Sequence, residues 1–131
     1  MNRLFTIVIG LLISNTLCAE FKMIWNEKNS TKEFIDFYAD FAERKTIGNV
    51  VQIPFYYNHD GPQEYPVMSS GGIAELNCKE KKGRTIFFTV FTEKDLNGQK
   101  LTEMKLPNEK WKVLGKGNKA FDALFNKVCT N

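Results

Sequence analysis

The chain has 131 residues, enough for one domain with a modest core and little more. Its 18 Lys and Arg stand against 15 Asp and Glu, a formal net charge of +3 that is too small to argue for a nucleic-acid partner. Three cysteines and one histidine leave little material for a metal centre.

The chain opens with Arg3, an unbroken apolar run over residues 4–13 and a short polar-then-small segment. That is the pattern of a secretory signal peptide over residues 1–19, with an apolar stretch too short to span a bilayer. A lipid anchor on Cys18 would require Leu three residues earlier and Gly or Ala just before it. The residues present are Asn15, Thr16 and Leu17, so Cys18 is read as leaving with the leader. Loss of Arg3 lowers the balance to +2, and the mature domain is read as residues 20–131. No later stretch is long and apolar enough to be a transmembrane segment. Two cysteines remain in an exported chain, and an oxidising compartment predicts a Cys78–Cys129 disulfide. Closing a loop of roughly 50 residues restricts the unfolded chain by roughly 4 kcal/mol.

Alternation predicts strands over 21–25, 33–38 and 50–57, with a polar turn at 26–32 and a polar connection at 39–48 that includes a helical turn. In the third strand Val51, Ile53, Phe55 and Tyr57 share a face. Pro54 cannot donate to a ladder, which places this strand at an edge or puts a bulge there. Residues 58–66 read as a loop, with His59-Asp60-Gly61-Pro62 as a solvated tight turn. The central hairpin pairs 73–78 with 85–91. Its first strand sets Ala74, Leu76 and Cys78 on one face, and its second is aromatic and β-branched throughout. A turn around Asn97-Gly98 leads to a sixth strand over 100–106, then to an irregular stretch holding Trp111 and Val113. Beyond Gly115-Lys116-Gly117 the period changes. Phe121, Leu124, Phe125, Val128 and Cys129 fall on one helical stripe, and Asn118 is placed to cap its N-terminus. The fold class is therefore α+β: an antiparallel sheet of about six strands with a C-terminal helix packed on it and tethered by the disulfide.

The sequence holds no nucleophile elbow, phosphate loop, dinucleotide fingerprint or metal-ligand spacing. Glu33, Asp36 and Asp40 read as surface acids, and His59 as a loop residue; no catalytic residue and no cofactor is assigned. The strongest candidate for a partner-binding site is the hairpin tip, where Lys79, Lys81, Lys82 and Arg84 concentrate positive charge. An acidic protein surface, a polyanion such as heparin, or lipid headgroups would suit it. The plainer alternative is a solubilising turn in which Gly83 supplies an unusual backbone angle. Tyr56, Tyr57 and Tyr65 either form an aromatic contact patch or cover a small core.

Several short motifs, in order, resemble the surface-adhesin protein E family of Gram-negative bacteria. They are Tyr38-Ala39-Asp40, Arg44-Lys45, Gly48-Asn49-Val50, Ser69-Ser70, Glu75-Leu76-Asn77-Cys78, Arg84, Gly98, Trp111 and Val128-Cys129. The resemblance implies a six-stranded antiparallel sheet with a disulfide-tethered helix, a homodimer in at least one member, and binding to host matrix proteins such as vitronectin and laminin, or to plasminogen. Heme binding is attached to the family too. This chain departs from the pattern at Asn77, where the family often has Asp, at Gly115-Lys116-Gly117, where many members have Pro-Gly, and in its lack of a lipobox. The expectation is an exported, non-enzymatic binding protein of the periplasm or outer cell surface. Its partner would be a host matrix protein or, alternatively, a periplasmic protein that it inhibits or neutralises.

Overall fold

The computed structural model describes residues 20–26, 36–59 and 67–130. The leader, residues 33–35 of the second predicted strand, the 27–32 turn and the 60–66 part of the long loop, Tyr65 included, lie outside the described residues.

Among the described residues eight strands form one antiparallel sheet: β1 (Phe21–Asn26), β2 (Asp36–Asp40), β3 (Lys45–Ile47), β4 (Val50–Asn58), β5 (Ser69–Asn77), β6 (Lys82–Phe91), β7 (Lys100–Lys105) and β8 (Lys112–Val113). Six of them run side by side in the order β1-β2-β4-β5-β6-β7, while β3 pairs with β4 and β8 pairs with β6. The two short strands are the ones that hydropathy does not mark. Residues 45–47 fall where a helical turn is expected, and 112–113 fall in the stretch read as irregular. Two or three exposed residues carry no periodicity, so only their pairing defines them.

β4 is not an edge strand over its length, since it lies between β2 and β5, but at Pro54 one side of it is locally an edge, as that residue asks, and no bulge interrupts its pairing with β5. The proline is tolerated because the neighbouring strand changes at that point. β2 pairs as far as Phe55 and β3 pairs from Gln52, so neither has a residue opposite Pro54 and no ladder bond is lost on that side; on the other, Pro54 lies opposite Ile73 of β5.

The central hairpin is longer than its hydrophobic runs. β5 starts at Ser69 and passes through Gly71-Gly72, where β-propensity is low. Gly72 lies where strands crowd: a Cβ there would sit 1.8 Å from the Phe87 carbonyl oxygen. At the tip, the left-handed residue is Lys81 (φ 51°) and not Gly83. Gly83 is buried in β6, where a Cβ would meet Leu76 and Leu114 side chains at 3.3 Å each. Its smallness serves packing, and the lysine bears the backbone strain.

Alternation along β2, β4 and β5 turns Phe37, Ala39, Val51, Ile53, Phe55, Ala74 and Leu76 toward one side, where α1 (Lys119–Cys129) closes the core with Ala120, Leu124 and Val128. Full burial of a leucine such as Leu124 stabilises the fold by roughly 2–3 kcal/mol. The helix begins as its sequence asks: Asn118 Oδ1 accepts the Phe121 amide at 3.1 Å. Asp122 in the first turn and Lys127 in the last both suit the helix dipole. At its far end Cys129 is bonded to Cys78, with Cα atoms 5.3 Å apart, so the helix is fastened to the end of β5.

Candidate functional site

The hairpin tip is joined to a second basic segment that lies 30 residues further along. β6 and β8 pair Lys82 with Val113 and Gly83 with Lys112, and the Leu114 amide donates to the Lys81 carbonyl at 3.0 Å. Residues 79–84 and 109–119 therefore form one end of the molecule. Together they hold eight of the chain's 18 Lys and Arg and two of its 15 Asp and Glu. Their local balance of +6 exceeds the formal +3 of the whole chain, so the remainder is −3.

The four predicted tip cations have different fates. Arg84 is absorbed by the sheet. Its Nε and Nη2 both reach Glu75 Oε1, at 2.8 and 2.7 Å, and Nη1 donates to the Glu109 carbonyl at 3.2 Å. The guanidinium lies 4.2 Å from the centre of the Trp111 ring, while Gln52 donates to the other Glu75 oxygen at 2.8 Å. Both oxygens of Glu75 are satisfied, which is what a nearly buried carboxylate requires. Lys82 sits 3.8 Å from Glu80, and Lys112 sits 3.9 Å from Glu109; such exposed pairs are weak. Lys79, Lys81, Lys110, Lys116 and Lys119 are exposed and make no ion pair among the described residues. The lysines of 109–119 escape sequence reasoning because only the β6–β8 pairing brings them to the tip.

Next to this end, a cavity of about 370 Å³ opens between β6 and the start of α1. Phe88, Leu106, Leu114 and Phe121 make its apolar wall. Lys112 and Lys116 stand on its rim against Glu109 and Asp122, so the rim favours neither sign. Asp122 is already occupied, with its Oδ1 accepting the Gly115 amide at 2.7 Å.

The predicted tyrosines lie away from the basic end and differ from each other. Tyr56 is 7% exposed, on the sheet side opposite the helix, stacked on Tyr38 with ring centres 4.6 Å apart. Its hydroxyl donates to Asp95 Oδ1 at 3.1 Å, and Asn58 Nδ2 donates to the same oxygen at 3.0 Å. Asn58 in turn accepts the Asp95 amide at 2.9 Å. Asp95 and Leu96, inside the 3-10 turn Lys94–Leu96, both have left-handed backbones (φ 59° and 58°). Ser69 completes the arrangement by accepting the Leu96 amide at 3.0 Å and donating to the Glu93 carbonyl. Burial, followed by the hydrogen bond to Asp95 and its charge, pushes the Tyr56 hydroxyl far above its ordinary pKa. Tyr38 is raised too, first by burial and then by Asp36 and Asp95. Tyr57, half-buried on the helix side, packs its ring near Phe37, Phe55 and His59.

Two polar residues are placed otherwise than the sequence predicts. His59 is not a solvated turn residue: it is 7% exposed at the end of β4, with Nε2 3.0 Å from Ser70 Oγ. Asp40 is no surface acid. It is 1% exposed, and its Oδ1 accepts the amides of Ala42 and Glu43 at 3.1 and 3.3 Å, capping the turn between β2 and β3. Asp36 accepts from Asn26 across the β1–β2 pair. Single residues at strand ends carry no periodic signal of burial, so hydropathy assigns them to solvent.

Among the described residues no helix is long and apolar enough to cross a membrane, and no group of three or more His, Cys, Asp or Glu is placed to hold a metal ion. Compared with known families, residues 25–130 match surface-adhesin protein E. No curated protein and no solved structure matches the chain.

Proposed function

We propose that the chain, which belongs to the surface-adhesin protein E family, is an exported, non-enzymatic binding protein of a Gram-negative cell surface that contacts host extracellular-matrix proteins. The observation that carries this reading is the family match, which spans residues 25–130 and so includes nearly the whole sheet and the tethered helix. The basic end is the contact surface in this reading. Lys79, Lys81 and Lys82 face the partner and Arg84 holds their strand in place, while Tyr56, buried, and Tyr57, half-buried, lie away from this surface and serve the sheet. The disulfide and the β6–β8 pairing at the base of the tip support the role, because a backbone that is already held loses little entropy on binding. The leader over 1–19 delivers the chain across the inner membrane, and self-association of the mature domain is part of the same reading.

The test has two arms. An antibody or a protease is applied to intact and to permeabilised cells, and the purified mature domain is titrated onto immobilised matrix proteins. Access on intact cells together with saturable matrix binding is expected. Access only after permeabilisation would overturn the surface reading and leave a periplasmic protein-binding module in its place.

A further inference from the structure

We infer that the joined basic end is a binding site for a sulfated polysaccharide chain of the heparin type. The inference deepens the reading above by naming the chemistry of the partner, and it rests on that reading's choice of contact surface.

The composition of the surface favours the sulfated chains that matrix proteins carry over a bare protein face. Cores of protein interfaces are depleted in lysine and built around aromatic and arginine anchors. Here the exposed cations are all lysines: Lys79, Lys81, Lys110, Lys112, Lys116 and Lys119. The two side chains that would anchor a protein, Arg84 and Trp111, are stacked on each other, and Arg84 is tied to Glu75. Lipid insertion is also poorly served, since Val113, 53% exposed, is the large apolar side chain this end offers. A phosphate site would use a planar fork or a cradle of amides, and the one fork present is spent internally. What remains is a row of point charges on flexible stems, which suits repeated anionic groups along a polymer.

Geometry supplies the rest. Neither segment is remarkable by itself, but β6–β8 pairing and the Lys81–Leu114 hydrogen bond set them side by side. Cys78 lies one residue before Lys79 and is bonded to Cys129, so the base of the tip is fixed covalently. The negative remainder of the chain makes this end the preferred approach for a polyanion.

The test uses the mature, disulfide-bonded protein, a heparin column and a fluorescent heparin oligosaccharide. Retention near physiological salt is expected, with Kd rising roughly 10- to 100-fold between about 50 and 200 mM salt as counterions are released by a few contacts. Lys79→Gln/Lys81→Gln and Lys112→Gln/Lys116→Gln should each weaken binding about fivefold or more. A control pair away from this end, Lys22→Gln/Lys94→Gln, should change it less than about twofold, as distant exposed charges are screened. All six positions are exposed, so unchanged melting temperatures will verify folding. Equal loss in the control pair, equal binding of desulfated heparin, or equal affinity for single-stranded DNA or anionic vesicles would overturn the assignment. The two readings fail separately. Matrix-protein binding without heparin binding sinks this inference alone, while heparin binding by a protein inaccessible on intact cells sinks the surface reading alone.

Discussion

The two ends of the central hairpin are turned by different means. At one end, β5 runs into the basic tip, whose base is held by a disulfide, by backbone pairing with β8 and by the Arg84–Glu75–Trp111 cluster. At the other, the connection from β6 to β7 is held by Tyr56, Asn58, Ser69 and Asp95, whose side chains are consumed in buried or half-buried hydrogen bonds. Both ends carry a left-handed non-glycine residue. At the far end Asp95 recovers the strain through its contacts with Asn58 and Tyr56. At the tip Lys81 is exposed, and its carbonyl accepts the Leu114 amide. The far end spends its polar groups on folding; the tip keeps its charges in solvent.

If that contrast is right, the tip's tether should be the largest single contribution at either end. Replacing both Cys78 and Cys129 by Ser should lower stability by about 4 kcal/mol, the loop-entropy value for a separation of 51 residues. Urea unfolding of the variant against wild type measures this. A loss under about 1 kcal/mol would mean that backbone pairing, and not the covalent bond, secures the basic end.

The far end should be the next most sensitive. Asn58→Ala removes one donor and one acceptor from a residue only 3% exposed, and it leaves the Asp95 amide without its partner. A loss of about 2–3 kcal/mol is expected, the cost of leaving a buried polar group unsatisfied. Little change would show that the left-handed turn is held by the sheet alone and would erase the contrast between the ends.

These two variants also mark how far the sequence reaches. The disulfide, the helix with its Asn118 cap and the Asn97-Gly98 turn are legible, because cysteine parity, period and turn chemistry are local signals. Asn58 is not. Its role depends on Asp95, 37 residues away, and nothing local marks a polar residue at a strand end as buried. The same holds for His59 and Asp40, which hydropathy assigns to solvent. At the candidate site the sequence identifies the lysines of the tip. It does not bring in Lys112 or Lys116, since a two-residue strand has no period to read. Gly83 shows a subtler failure: glycine signals either backbone freedom or lack of bulk, and only the packing of Leu76 and Leu114 around it decides for bulk.

A smaller effect separates the hydroxyl of Tyr56 from its ring. Tyr56→Phe keeps the stack on Tyr38 and deletes one bond to Asp95, for a loss of about 1 kcal/mol near neutral pH. Its pH signature is more specific. The folded pKa of Tyr56 is raised above its ordinary 10.0, so the folded state holds the proton more tightly than the unfolded state. That stabilisation is complete below pH 10 and is lost as pH climbs toward the folded pKa. Wild type should therefore lose stability more steeply than Tyr56→Phe in alkaline titrations of the melting temperature. Tyr38, also raised, contributes a residual slope to both. Parallel alkaline limbs would mean that the Tyr56 hydroxyl takes no part in the lock.

The smallest effect is the most informative about the tip. Lys81 holds φ at 51°, a region that costs an ordinary side chain roughly 1–2 kcal/mol and that asparagine visits more readily. Lys81→Asn should thus raise stability by about 0.5–1 kcal/mol, since it relieves strain without touching the Leu114 amide bonded to the Lys81 carbonyl. The same variant removes one exposed charge from the basic end and should weaken heparin binding about twofold or more. A gain in stability with a loss of binding would mean that the lysine sits in a conformation that suits it poorly because its charge is used. A gain with unchanged binding would leave the strain at the tip without that reason, and the two ends would then differ only in how they fold.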